Sequence, residues 1–190
     1  MLILIAGLVL FFGPHCVSII APFWRDRMTL LVGQLQWKGL YAVISIAGFV
    51  GIVWGYGLAR HTSAILYTPP FWLRYVSVVL MAPAFPLALA AYLPGKIKTA
   101  TRHPLLAATK LWTTAHLLSN GTLAAVLLFG SFLVWAVVDR ISLKNRVQRR
   151  IETLPASRFN DAIAVIGGLA LYVLFVWRLH LWLIGVSPLA

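Results

Sequence analysis

The stretch Thr101–Thr122, TRHPLLAATKLWTTAHLLSNGT, places two histidines, a lysine and an asparagine in a segment otherwise apolar enough to enter a bilayer. Polar groups in hydrocarbon each cost several kcal/mol unless a partner meets them. His103, Lys110, His116 and Asn120 therefore call for partners, and the identity of those partners is the functional question. The surrounding chain has the same character. Of its 190 residues 61% are hydrophobic and 11% charged, with a mean hydropathy of +0.90. Soluble domains run at about 45–50% apolar and about 25% charged, so the composition specifies an integral membrane protein.

Working outward, apolar runs separated by basic turns predict an all-α, polytopic transmembrane bundle of about six helices. It forms one domain over 1–190, with spans near 2–24, 40–58, 72–93, 104–118, 122–138 and 161–186. The N-terminal MLILIAGLVLFF lacks a basic start and runs on into further apolar sequence, as a retained first helix and not a cleaved signal would. Pro14 is expected to kink that helix beside His15, and the charged Arg25-Asp26-Arg27 to end it as a turn. Residues 25–39 read as a basic, partly amphipathic connection. Gly51 and Gly55 form a small-xxx-small pair suited to close helix contact, more often inside a bundle than at a dimer seam. Pro83 and Pro86 should bend the third span. The fourth is short, about 22 Å at 1.5 Å per residue against a core of about 30 Å.

Sixteen Lys and Arg against four Asp and Glu give a formal charge of +12. In a soluble protein this balance would suggest nucleic acid. Here the cations sit in loops, without interleaved aromatics, so topology and anionic lipid account for them and nucleic acid is excluded as a partner. Arg25, Arg27, Lys38, Lys96, Lys98, Arg102 and the basic loop 139–160 (Arg140, Lys144, Arg146, Arg149, Arg150, Arg158) fall on one side; Arg60 and Arg74 fall on the other. The positive-inside rule then predicts both termini on the side away from the cytoplasm.

Asp26, Asp139, Glu152 and Asp161 all fall at loops or helix ends, which argues against a transporter built on buried acids and against carboxylate-pair hydrolysis. Cys16 is the single cysteine, so the chain offers neither an internal disulfide nor a thiolate metal cage. Among five histidines, His61 reads as a loop residue and His180 as an interfacial group near Arg178 and Trp182. His103, beside Arg102 at a helix start, either binds an anion or marks the interface. His15 and His116 lie inside apolar runs. Counted along their helices they sit about 13 Å and about 20 Å from the inner ends, a mismatch that tilt absorbs. Facing imidazoles are the usual axial pair for a b-type haem; two buried histidines hydrogen-bonded to Ser, Thr or carbonyls are the alternative. Asn120, Thr113 and Thr114 are candidates to orient His116, and Lys110 and Arg102 to pair haem propionates or simply to snorkel.

GPH at 13–15, RDR at 25–27, WKGLY at 37–41, YTPP at 67–70, YLPGKIK at 92–98, RHPLL at 102–106, LW..AHLLSNG at 111–121, DRISLK at 139–144 and HLWLIG at 180–185 together resemble the NnrU family over nearly the whole chain. That resemblance implies a bacterial inner-membrane protein associated with nitrite and nitric oxide metabolism in denitrifiers. The family is similar in turn to 15-cis-zeta-carotene isomerase, a haem b enzyme. The similarity implies His15 and His116 as the haem residues, with His103 as the RHP histidine. Where the isomerase has a cysteine three residues before its second histidine, this chain has Thr113, so the thiolate switch is missing and the resemblance implies haem binding without the isomerase reaction. A carotenoid, a nitrogen oxide and a quinone all suit an apolar pocket as small-molecule substrate. Two further readings stand beside the haem protein. RHP also occurs in S-adenosylmethionine-dependent membrane methyltransferases resembling isoprenylcysteine carboxyl methyltransferase. The segment RISLKNRVQRRIETLPASRF, with Glu152 its only acid, departs from their pattern. A cofactor-free assembly or regulatory factor for respiratory enzymes makes no demand on His15 or His116.

Overall fold

The computed structural model describes residues 1–147 and 153–189. Arg149, Arg150 and Glu152, singled out above, lie outside the described residues. The helices are α1 (Leu2–Ile20), α2 (Pro22–Val32), α3 (Gln34–Ala59), α4 (Leu73–Met81), α5 (Ala84–Ala90), α6 (Lys96–Thr101), α7 (Pro104–Ser119), α8 (Leu123–Ser142), α9 (Asn160–Leu174), a π-helical turn (Phe175–Leu179) and α10 (His180–Ile184). Five stretches are long and apolar enough to cross a membrane: Leu2–Ile20, Gln34–Ala59, Leu73–Ala90, Leu123–Ser142 and Asn160–Ile184. The sixth expected span, α7, has 16 residues. Large apolar side chains such as Leu2, Phe23, Leu30 and Trp177 face outward, as they do where the solvent is lipid. The chain is an all-α membrane protein.

It divides into two compact units, Met1–Thr68 with Gly121–Val147, and Pro69–Asn120 with Gln148–Ala190. In the first, α1 and α3 pack backbone to backbone. A Cβ at Gly7 would meet Ile52 N at 2.5 Å, and one at Gly48 would meet Phe11 N at 2.5 Å. Gly51 lies against Gly7 and Gly55 against Leu4, so the glycine face is an internal contact. Helix α8 completes the unit through Phe132, which packs on Phe11 and Phe12. Its start is capped twice: Thr122 Oγ1 accepts from Ala125 N and Ser63 Oγ from Ala124 N.

In the second unit, α9 lies on α5 with Gly168 against the backbone of Pro86, and Ala164 buried beside Ala90 and Leu93. Ser119 of α7 donates to Ser77 of α4 over 2.7 Å. The bend expected at Pro83 is a break between α4 and α5.

Several expected boundaries are corrected. The first span ends at Ile20 and not at Trp24, because Pro22 pushes Ala21 out of helical geometry (φ −135°, ψ 62°) and itself opens a new helix. Arg25-Asp26-Arg27 is therefore helical, inside α2, and not a turn. The second span begins at Gln34 and not near residue 40; Gly33, at φ 96°, turns the chain there. Residues 96–101, read as loop, form α6 because the Asp161 carboxylate accepts from Lys96 N (2.8 Å) and Ile97 N (3.0 Å). The fifth span runs on to Ser142, so Asp139 and Arg140 belong to a helix and not to the basic loop 139–160. Asp139 is buried there and pairs with Arg146. The last span ends at Ile184 and not at residue 186, closed by Gly185 in the left-handed region at φ 77°.

Candidate functional site

Each unit carries one of the two histidines read as buried, and both are held the same way. On α1, His15 Nδ1 lies 2.6 Å from the main-chain oxygen of Phe11, one turn back. On α7, His116 Nδ1 lies 2.8 Å from that of Trp112, also one turn back. A carbonyl only accepts, so in the neutral imidazole the proton sits on Nδ1 and Nε2 carries the lone pair. That is the tautomer a metal-ligating histidine takes, with the second nitrogen fixed by a carbonyl.

The His15 ring is stacked on Phe11, 4.2 Å between centres, and meets Tyr41 at 5.1 Å and Trp135 at 5.7 Å. Trp135 Nε1 is buried without a hydrogen-bond partner in this unit. Cys16 is partly buried beside it.

In the second unit the sequence reading of His180 changes. Its ring lies 6.4 Å from that of His116, with the planes at 27°. Its Nδ1 is 2.6 Å from the main-chain oxygen of Val186, which the left-handed Gly185 folds back to reach it. Phe175 packs edge-on against His180 at 5.9 Å, and Trp112 against His116 at 5.6 Å. The π-helical turn Phe175–Leu179 immediately precedes His180. Such turns displace the helix face that follows and are frequent at functional sites. No Gly or Pro inside FVWRL announces this one, and the sequence offered no signal for it.

The remaining candidates fall along α7 and its approach. Arg102 is exposed and is the one non-glycine residue at positive φ (60°) among the described residues. His103 N donates to Thr101 O over 2.7 Å across it, a tight γ-type turn. His103 then caps α7 ahead of Pro104. Lys110 is partly buried six residues before His116. Asn120 Nδ2 donates to the main-chain oxygen of His116 over 3.0 Å, and Thr113 Oγ1 to the carbonyls of Thr109 and Lys110. The atom that holds the His116 ring is thus the Trp112 carbonyl. His61 is a loop residue, accepting from Arg60 Nε at 2.9 Å.

Among the described residues no three His, Cys, Asp or Glu side chains gather as a cage for a metal ion. The family model described as NnrU protein matches the chain over residues 3–188. No curated protein and no solved structure matches it.

Proposed function

Because the chain belongs to the NnrU family, we propose that it is a haem b-binding protein of the bacterial inner membrane. It acts in nitrite and nitric oxide metabolism, or as a redox-dependent, isomerase-like protein on an apolar substrate. The observation that carries the reading is the lock on His116, an imidazole on an apolar helix whose Nδ1 is held by the Trp112 carbonyl. That tautomer, with the lone pair on Nε2, is the one a metal-ligating histidine takes. His15 carries the same lock in the first unit and is the sequence's choice for a second ligand. Lys110, six residues from His116 and so about 9 Å along the helix, is assigned with Arg102 to the propionates. The excess of basic residues near and beyond the ends of the apolar stretches on one side, by sequence, supports an orientation with both termini periplasmic. If bound, haem b would supply one-electron redox chemistry suited to electron transfer or redox sensing.

The test is the absorption spectrum of the detergent-purified protein after expression with ample haem. A Soret band with sharp reduced α and β bands is expected, lost or shifted in His116→Ala. A colourless protein overturns the reading. Should that protein bind S-adenosylmethionine in calorimetry, it is a methyltransferase. If it is silent there too, it is a cofactor-free assembly factor.

A further inference from the structure

The sequence pairs His116 with His15; the geometry points elsewhere. We infer that His116 and His180, both within the second unit, are the two axial imidazoles of one metal centre, the haem iron. The inference rests on the haem reading above and assigns its second ligand.

Three observations converge. The first is separation. Two imidazoles bound end-on to opposite faces of one metal, with bonds of about 2.0–2.1 Å, have ring centres about 6.3 Å apart. His116 and His180 are 6.4 Å apart with nearly parallel planes. The second is tautomer. Each ring gives Nδ1 to a main-chain carbonyl, Trp112 O at 2.8 Å and Val186 O at 2.6 Å, so each neutral ring has its lone pair on Nε2. The third is backbone irregularity on both sides of His180. The π turn Phe175–Leu179 sets the face on which it emerges, and Gly185 reverses the chain to bring Val186 O to its ring. A plain interfacial histidine requires neither.

The experiment compares wild-type, His180→Ala, His180→Met and His15→Ala proteins by absorption and electron paramagnetic resonance, each purified with haem. Wild type is expected to be low-spin. His180→Ala should lose that signal, becoming high-spin or losing most of its haem, and added imidazole should restore the low-spin spectrum. His180→Met keeps an axial donor, so it should retain haem and shift its potential upward, the direction of a His/Met pair. His15→Ala should leave the low-spin signal in place. A His180→Ala protein with an unchanged low-spin spectrum overturns the inference and leaves the haem reading standing, as does loss of the signal in His15→Ala alone. Colourless wild-type protein, including protein that takes up only copper or zinc through the pair, overturns both.

Discussion

The Tyr172 hydroxyl on α9 donates to the main-chain oxygen of Val78 on α4 over 2.6 Å. Pro83 is the cause. It has no N–H to give to Val79 O, so Ala82 N turns to Val79 O instead and leaves Val78 O without its helical donor. Tyr172 supplies the missing hydrogen bond from a neighbouring helix, the usual remedy for broken backbone at membrane depth. Tyr172→Phe should lower stability by about 0.6–1.7 kcal/mol, the range for interhelical hydrogen bonds in membranes. Reversible unfolding in mixed micelles measures it, and an unchanged midpoint would show that the carbonyl finds water.

Close contact between α1 and α3 depends on glycine at two positions one heptad apart. A Cβ at Gly48 would lie 2.7 Å from Phe11 Cα, and one at Gly55 2.6 Å from Leu4 Cα, in both cases against backbone that has no rotamer to yield. Gly48→Ala and Gly55→Ala should each cost about 1–3 kcal/mol, with Gly55→Leu failing to accumulate. Gly57→Ala has nothing within 4 Å and should be neutral or slightly stabilising through helix propensity. Thermal aggregation of the three alanine variants in detergent ranks them; equal midpoints for Gly55→Ala and Gly57→Ala would contradict the packing argument.

Asp139 and Arg146 close one end of the first unit as an ion pair whose side chains are 11% and 14% exposed. Removing one partner leaves a buried charge uncompensated. Arg146→Met alone should therefore destabilise by about 3–5 kcal/mol, whereas Asp139→Leu with Arg146→Met should recover most of the loss. A double-mutant cycle on unfolding midpoints reads the coupling directly. Additive losses would mean that the two charges are solvated independently.

Asp161 spans the sequence gap between α9 and α6 with two hydrogen bonds to helix-start N–H groups. Asp161→Ala should cost about 1–2 kcal/mol and melt α6, while Asp161→Asn keeps an acceptor and loses less. Hydrogen exchange at Lys96 and Ile97 gives the local answer, and continued protection in Asp161→Ala would rule out the capping role.

Composition and apolar run length were enough to specify a helical membrane bundle, because the cost of unpaired backbone in lipid leaves a chain this apolar little else to form. Pro104 at the start of α7, Pro83 in the third span and the glycines of α3 were legible for the same reason, since each acts on its own backbone. His116 could be singled out as an imidazole inside an apolar run. Tertiary structure alone decided which groups meet. The α6 cap comes from Asp161, the Asp139 charge is met by Arg146 beyond the expected helix end, and His180 faces His116. Counting residues from Asn160 and from Pro104 would set those two rings about 12 Å apart in depth. Rise per residue is a local property of the chain, but the level at which a helix starts, its tilt and the face it turns to a neighbour are set by packing against other helices.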